Sequence, residues 1–270
     1  MWSACALIAA LSLAPAQGGQ LRLSNERFTH GILGPTRAEG KFLPGDHLFL
    51  CFDIDNLVVD DHGKARYNMA LEVLKGNKPV LKQGEGPQDL EALNSLGGGR
   101  VPAFVHQAIG TDLEAGEYTI RVTVTDRTAK KSQALVRAFQ VLPKAYGIVR
   151  VQLAYPIPQS FLPAPAVAVP GQTLLVNCGV VGFERDRNKR QPLIQCECRI
   201  LDESGKPVVP KPDLITIEQD VPEKFSVSEV PFVLQLNRPG KFTVELKATD
   251  RLSKKTSTAS FPLTVLDVKP

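Results

Sequence analysis

The chain has 270 residues and is 43% hydrophobic, but charged residues interrupt every apolar run well before the ~20 residues that a transmembrane helix needs. Its 32 basic and 28 acidic residues give a net charge of +4 and are spread along the chain. Because the basic and acidic residues are balanced and dispersed, the sequence shows no basic patch that would bind nucleic acid. We therefore expect a soluble mature protein with no transmembrane segment and no nucleic-acid partner.

The first sixteen residues predict a signal peptide. Met1 to Ala16 carries no charged side chain, and Ala and Leu dominate from Ala4 to Leu13. The stretch ends in Ala14-Pro15-Ala16, a small-residue pattern that suits signal peptidase, so we expect cleavage after Ala16. The alternative is a short buried N-terminal helix. On the first interpretation the protein is exported, that is, secreted or periplasmic.

The next pattern along the chain is a strand that has a counterpart later in the sequence. Apolar side chains occupy every second position from Leu48 to Ile54, as expected for a strand with one face in the core. The same alternation recurs from Leu174 to Val180. Both strands are entered through Pro-Gly, at Pro44-Gly45 and Pro170-Gly171, a dipeptide that favours a turn.

A further strand is predicted in each part of the chain. The inward residues are Met69, Leu71 and Val73 in the first strand and Cys196, Cys198 and Ile200 in the second. The segments that follow, 79–99 and 207–224, are rich in Pro, Gly and charge, so we interpret them as loops with short edge strands. Within them the best candidate for a helix is Gln88–Leu96.

The strongest alternation in the chain comes next, and its inward positions form two matching sets. Thr residues dominate the outward positions of the first set, which suits a solvated sheet face. Short alternating strands with regular turns and no interposed helices predict an antiparallel sandwich. The inward residues are Tyr118, Ile120, Val122 and Val124 in the first set and Phe242, Val244, Leu246 and Ala248 in the second.

These two sets belong to an internal repeat. Residues 116–127 (GEYTIRVTVTDR) return as 240–251 (GKFTVELKATDR), and the offset of 124 holds through Lys130-Lys131 and Lys254-Lys255. A repeat of this period corresponds to one domain of chain. We therefore predict two copies of one module, at 20–143 and 147–268, joined by the short linker 143–146.

The repeated segment resembles the penultimate strand of bacterial immunoglobulin-like and fibronectin type III-like modules, with its Gly-x-Tyr/Phe-Thr start and Thr-Asp end. The resemblance implies an all-β fold of two tandem antiparallel immunoglobulin-like β-sandwich domains behind the signal peptide. Antibody-type domains are excluded, because the only tryptophan is Trp2. Tyr118 is able to form a tyrosine-corner hydrogen bond, whereas Phe242 lacks the hydroxyl group.

Four cysteines remain after the predicted cleavage, and exported proteins commonly pair them. Cys178, Cys196 and Cys198 all point inward, and two residues on one strand lie ~7 Å apart, too far to bridge each other comfortably. The candidate disulfide therefore joins Cys178 with Cys198 or Cys196. The alternative is that all three are small core residues. Cys51 lies on the outward face and has no evident partner.

Asp53, Asp55, Asp60 and Asp61 form the densest cluster of oxygen ligands and are a weak candidate calcium site. The spacing lacks the Gly and the terminal Glu of an EF-hand loop, and a solvated strand end is the alternative. A zinc site is disfavoured as well, because the four histidines are scattered and all precede the Cys-x-Cys pair.

The chain contains no Gly-x-Ser-x-Gly, no His-Glu-x-x-His and no phosphate-binding glycine loop before a helix. These absences predict that it is not an enzyme and has neither catalytic residues nor a cofactor. The leading hypothesis is an exported, non-catalytic binding, adhesion or structural module whose partner is a protein or a cell-envelope component. The alternative is a carbohydrate-binding accessory module, with calcium assistance as an option.

Overall fold

The structure is a computed structural model that describes residues 19–82, 88–157 and 160–267. The described residues form strands and turns and no helix, so none of their segments could cross a membrane as a helix. The helix predicted at Gln88–Leu96 is wrong, because Gln88–Leu93 is a strand paired with the edge of a sheet. The predicted signal peptide, 1–16, and residue 268 lie outside the described residues.

The first half of the chain forms two sheets. One sheet has the order β1-β3-β7, and the other has the order β2-β9-β8-β4-β5 with β6 also on β4. All pairs are antiparallel except β2 with β9. The strands are β1 (Arg22–Thr29), β2 (Lys41–Phe42), β3 (His47–Asp55), β4 (Lys64–Lys75), β5 (Lys78–Lys82), β6 (Gln88–Leu93), β7 (Val101–Ala108), β8 (Gly116–Asp126) and β9 (Lys131–Val141).

The second half also forms two sheets, with orders β11-β10-β13-β16 and β12-β18-β17-β14-β15. Two strands have no counterpart, β11 in the second half and β5 in the first; otherwise the two orders repeat those of the first half, with β15 at the position of β6. No sheet among the described residues combines strands from both halves. The strands are β10 (Gly147–Ile157), β11 (Ser160–Pro163), β12 (Val167–Ala168), β13 (Thr173–Val181), β14 (Ile194–Leu201), β15 (Asp213–Ile217), β16 (Val227–Gln235), β17 (Gly240–Asp250) and β18 (Thr256–Val265).

Each half has its own apolar core between its two sheets. The structure confirms the inward strand faces that the alternation in the sequence predicts. Val122 and Val244 are fully buried, whereas Arg121 on the opposite face is exposed. Phe242, like Met69 and Ile200, is an exception among the predicted inward residues. It is only half-buried, and the guanidinium group of Arg238 lies 4.8 Å from its ring centroid.

The aspartate of the repeated Thr-Asp-Arg sequence is buried in both halves. Asp126 accepts hydrogen bonds from the backbone of its own hairpin turn, at Thr128 (2.8 Å), and from Val58 (2.8 Å) in the loop after β3. Asp250 does the same with Leu252 (3.0 Å) and with Glu184 (2.9 Å) in the loop after β13. Each carboxylate thus fixes two loops of its own sandwich by satisfying buried N–H groups.

Tyr118 and Phe242 occupy matching positions but make different contacts. The hydroxyl group of Tyr118 donates a hydrogen bond to the carbonyl oxygen of Glu114 (2.8 Å), four residues upstream. The phenyl ring of Phe242 has no group that could do so. The turn before β17 therefore lacks the side-chain hydrogen bond that stabilises the turn before β8.

Truncation of a fully buried strand residue should destabilise the protein much more than truncation of its outward neighbour. Val122→Ala and Leu246→Ala should each lower the free energy of unfolding by about 2–4 kcal/mol, because each removes apolar contacts and leaves a cavity. Arg121→Ala and Glu245→Ala are the matched controls and should change it by less than about 0.5 kcal/mol. Denaturant unfolding measures all four, and a larger loss for Arg121→Ala than for Val122→Ala would contradict the register.

Removing the carboxylate of Asp250 should cost about 1–3 kcal/mol, because buried N–H groups lose their acceptor. Asp202→Ala is the control: Asp202 also binds turn N–H groups, at Ser204 and Lys206, but its turn is exposed and water can replace it. We therefore expect a clearly smaller loss for Asp202→Ala in denaturant unfolding. Equal losses would contradict the role of burial.

The contribution of Asp250 should also depend on pH. Burial acts to raise the pKa of Asp250, but hydrogen bonds from Ser253, Glu184 and Leu252 outweigh it and hold the pKa below its ordinary value. A lowered folded-state pKa gives stability that is complete above the unfolded value of about 4 and is lost as pH falls further. The difference in unfolding free energy between wild type and Asp250→Asn should therefore shrink below about pH 4.

Candidate functional site: the cleft between the two halves

The two halves meet at the buried carboxylate of Asp46, in the turn before β3. One of its oxygens accepts hydrogen bonds from the backbone N–H groups of His47 (2.8 Å) and Arg150 (2.7 Å), and the other accepts one from the guanidinium group of Arg37 (2.9 Å). Arg150 belongs to β10, so a carboxylate of the first half holds the backbone of the second half. Such charge-assisted bonds are stronger than neutral ones.

Arg150 reinforces this junction with its side chain. Its Nε donates to the carbonyl oxygen of Gly45 (2.8 Å), and its Nη1 donates to Glu229 (2.9 Å) on β16. Its backbone has φ of +53°, a conformation that is uncommon for a residue other than glycine. The register of β10 against β13 shifts at this point, so the residue lies in a β-bulge, which turns its N–H toward Asp46.

The same bulge occurs in the first half. Asn25 has φ of +53°, and the register of β1 against β3 shifts around it. Asn25 donates its side-chain amide to Asp53 (2.7 Å) within its own sheet. The bulge is therefore common to both halves, but only Arg150 uses it to contact the other half.

Close packing accompanies these polar contacts. Gly147 lies against the side chain of Leu43, where a Cβ atom would approach the Leu43 Cδ1 atom to 2.2 Å. Gly45 has φ of +97° and faces Val181 and Val227 of the second half, with 3.0 Å and 3.3 Å to a Cβ placed there. The absence of side chains at these two glycines allows the halves to approach.

Next to the junction lies an open cleft of about 450 Å³ whose walls come from both halves. The ion pair of Arg150 and Glu229 separates it from a second cleft of about 490 Å³ along the segment 220–229, and both clefts are lined by this pair. The walls of the first cleft are Ile32, His47, Phe49 and His106 from the first half and Arg150, Gln152, Phe161, Asn177, Cys178 and Glu229 from the second.

The segment 220–229 is held in place by Arg185. The guanidinium group of Arg185 donates to the carbonyl oxygens of Val221 (2.9 Å), Pro222 (3.0 Å) and Phe225 (2.9 Å). It also donates to the carbonyl oxygen of Arg190 (2.9 Å). Sequence reasoning missed this organising residue. Its signal is a tertiary one, since three of its four partners lie more than thirty residues away.

Three histidines contribute to the junction or to the cleft. His106 stacks on Phe49 with 4.6 Å between ring centroids, and His47 contacts His106 edge-on at 4.8 Å. His30 lies 6.2 Å from the ring of Phe261, which belongs to the core of the second half. The sequence separation of these histidines hid this proximity.

Burial keeps these imidazoles neutral at pH 7. Burial lowers the pKa of His47 to about 4, assisted by Arg150 and His106 and opposed by Asp46 and Glu229. Burial and then Arg37 lower the pKa of His30 to about 3. Burial also lowers the pKa of His106. The only full charges that line the first cleft are therefore those of the Arg150–Glu229 pair.

The cysteines of the second half are free thiols in the structure, so no disulfide joins Cys178 to Cys198 or Cys196. All three are buried in the core, as in the alternative interpretation, and burial raises the pKa of each to about 12. Cys51 lies on the outward face as expected but is not exposed. Thr29 Oγ1 lies 3.2 Å from its sulfur, and its thiol donates to the carbonyl oxygen of Ile32 (3.3 Å), because the loop after β1 covers it.

The acidic residues proposed for calcium are bound by protein groups instead. Asp55 accepts hydrogen bonds from Ser24 (2.6 Å) and from the guanidinium groups of Arg100 (2.7 Å) and Arg22 (3.2 Å), and the bond from Ser24 is the largest cause of its lowered pKa.

The other three members of the candidate site are dispersed as well. Asp53 binds Asn25, and Asp60 accepts the N–H groups of His62 and Lys64 in a turn. Asp61 is exposed. Within residues 19–82, 88–157 and 160–267, no group of three or more His, Cys, Asp or Glu is arranged to hold a metal ion. The four aspartates do not form one site, because Asp53, Asp55 and Asp60 satisfy local donors and Asp61 is exposed.

Comparison with known proteins gives little further information. No family model matches the chain, and no curated protein is similar to it. A solved structure that resembles it is that of red sea bream transglutaminase, with 12% sequence identity and a TM-score of 0.30. The likeness covers 93% of this chain and 32% of that one, so this chain spans about a third of its length.

One prediction from the sequence is corrected by this comparison. The chain was expected not to be an enzyme, whereas the similar structure is that of a transglutaminase, which is an enzyme. The expectation is contradicted and we withdraw it. With a TM-score of 0.30, the likeness carries no transglutaminase activity over to this chain.

Removing the carboxylate of Asp46 should weaken the whole protein although the residue lies in a turn. Asp46→Ala leaves Arg37 and the N–H group of Arg150 without their acceptor, and we expect a loss of about 2–3 kcal/mol in unfolding free energy. Asp61→Ala, which alters an exposed aspartate nearby in sequence, should change it by less than about 0.5 kcal/mol. Denaturant unfolding compares the two, and similar values would argue against the junction.

Proposed function

We propose that the chain is an exported binding protein of two tandem immunoglobulin-like β-sandwich domains, 20–143 and 147–268, that binds a protein or a cell-envelope component in the cleft between them. The repeated strand order and the separate cores support the two domains. The hydrogen bond from Tyr118 to Glu114 supports the immunoglobulin-like assignment, because it has the pattern of a tyrosine corner. The apolar segment 1–16 supports export.

The observation that carries the binding proposal is the cleft itself. Ligand sites occur preferentially at domain interfaces and combine an apolar lining with a few polar groups. Here the lining includes the Arg150–Glu229 pair, and Phe161, which also lines the cleft, is 50% exposed. The contacts of Asp46 fix both walls in one geometry, which lowers the entropy that binding must overcome.

One observation favours carbohydrate as a second candidate. The side-chain amides of Gln152 and Asn177 line the same cleft as the exposed ring of Phe161. Amides exchange hydrogen bonds with hydroxyl groups, and an aromatic face packs against the apolar face of a sugar ring. The calcium-assisted form receives no such support, because Asp53, Asp55 and Asp60 are bound by protein groups.

Phe161→Ser should lower binding at least about tenfold, since exposed aromatic anchors contribute most to interface affinity. Leu214→Ser is the matched control, because Leu214 is 51% exposed but lies on β15, which does not line the cleft. The measurement is the saturable binding of purified labelled protein to isolated cell envelopes of the source organism. Protease-treated envelopes and a glycan array distinguish a protein ligand from a carbohydrate.

Two results would contradict the proposal. Equal losses for Phe161→Ser and Leu214→Ser would place binding outside the cleft, and no saturable binding to envelopes or glycans would remove the proposed ligand classes. Export is checked separately by N-terminal sequencing of the protein recovered from its host. A mature form that starts at Gln17 supports export, and one that retains Met1 or Trp2 contradicts it.

A further inference from the structure

The histidines of this chain are concentrated where the two halves meet. Of the four, His47 and His106 line the cleft, and His30 packs against Phe261 of the second half. The fourth, His62, is exposed in the turn between β3 and β4. Ion pairs and apolar packing would be sufficient to join the halves, so a cluster of neutral imidazoles at this place calls for an explanation.

Resting on the proposed function, we infer that the cleft is regulated by acid: protonation of His30 and His47 loosens the junction between the halves, and the cleft then releases its ligand. The sensitive element is the interface that Asp46 and Arg150 hold together. Its two arrangements are a closed one, in which the imidazoles of His30 and His47 are half-buried, and an open one, in which water surrounds them.

The surroundings of His47 disfavour a positive charge there. Arg150 of β10 and His106 of β7 repel it, whereas Asp46 and Glu229 attract it. Both carboxylates are already engaged: Asp46 binds Arg37 and two N–H groups, and Glu229 binds Arg150. Neither attraction outweighs burial, and the pKa of His47 in the closed form is about 4.

The surroundings of His30 also disfavour a positive charge. The charged group that acts on it is Arg37, which is itself bound to Asp46, and the ring of Phe261 packs against it. Its buried Nδ1 has no hydrogen-bond partner among the described residues. The same is true of Nε2 of His106. Protonation would create cations that the closed form solvates only in part.

The coupling between histidine protonation and opening of the junction determines how the ratio of open to closed form changes with pH. In the open form the imidazoles return to a pKa of about 6.5, so the open form binds more protons below that pH. The closed form is therefore fully favoured above about pH 6.5 and is weakened as pH falls toward about 4. The ratio of open to closed form should rise about tenfold per pH unit for each histidine that takes up a proton on opening.

The amide of Arg150 reports on the opening, because it donates to Asp46 across the junction. Its hydrogen exchange, corrected for the intrinsic rate, is measured in the full chain from pH 7.5 to 4.5. In the wild type its protection should fall about tenfold per pH unit or more below pH 6.5. The amide of Ile120 in β8 should keep a higher protection, which distinguishes local opening from global unfolding.

Variants assign the effect to these histidines. His30→Gln/His47→Gln should remove most of the pH dependence between pH 6.5 and pH 4.5. His62→Gln is the control and should behave like the wild type. The single variants His30→Gln and His47→Gln serve if the double variant does not fold. A flat wild-type profile, or an unchanged profile in the variants, would overturn the inference.

A binding experiment separates this inference from the proposed function. Wild-type protein and the double variant are bound to the same isolated envelopes at pH 7.5 and pH 5. We expect the wild type to lose at least about tenfold in affinity at pH 5 and the double variant to lose clearly less. Binding that is equal at both pH values overturns acid release and leaves the proposed function intact. Absence of binding at pH 7.5 overturns the proposed function, while hydrogen exchange still decides whether the junction opens.

Discussion

The carboxylate of Asp46 is the contact on which the arrangement of the two halves depends. It is buried, and its three donors come from its own turn, from Arg37 and from the backbone of Arg150. A buried charge is tolerated only when hydrogen bonds replace the lost water, and Asp46 meets this condition by recruiting the second half. The cleft exists because this contact fixes the distance between its walls.

The two halves have similar strand orders, and some of their matching residues make the same contacts whereas others do not. Asp126 and Asp250 are retained with equivalent partners, because each satisfies N–H groups that the strand topology buries. The bulges at Asn25 and Arg150 share a backbone conformation but differ in use. Asn25 binds within its sheet, whereas the longer side chain of Arg150 reaches the other half. A difference in side-chain length at one bulge thus converts a local irregularity into a connection between the halves.

The walls of the cleft are held together by hydrogen bonds, and histidines at the same place respond to acid. The hydrogen bonds of Asp46 and Arg150 hold the walls together, yet His30 and His47 lie half-buried at the same junction as neutral bases. Burial of a neutral imidazole costs little at pH 7 and much more when the ring is protonated. On the function and regulation proposed above, the interface that defines the cleft is also the part of the protein that acid weakens first, and binding and regulation depend on one set of contacts.

The sequence by itself determined the all-β class, the turns and the buried strand faces, because side-chain alternation is a local property with period 2. It misplaced Gln88–Leu96, where pairing with β4 outweighs local preference. Three features became visible only in the tertiary structure: the loop that covers Cys51, the hydrogen bonds of Arg185 and the cleft between the halves. Asp46 and Arg150 are 104 residues apart, and no local pattern records a hydrogen bond that forms only when two separately folded cores pack against each other.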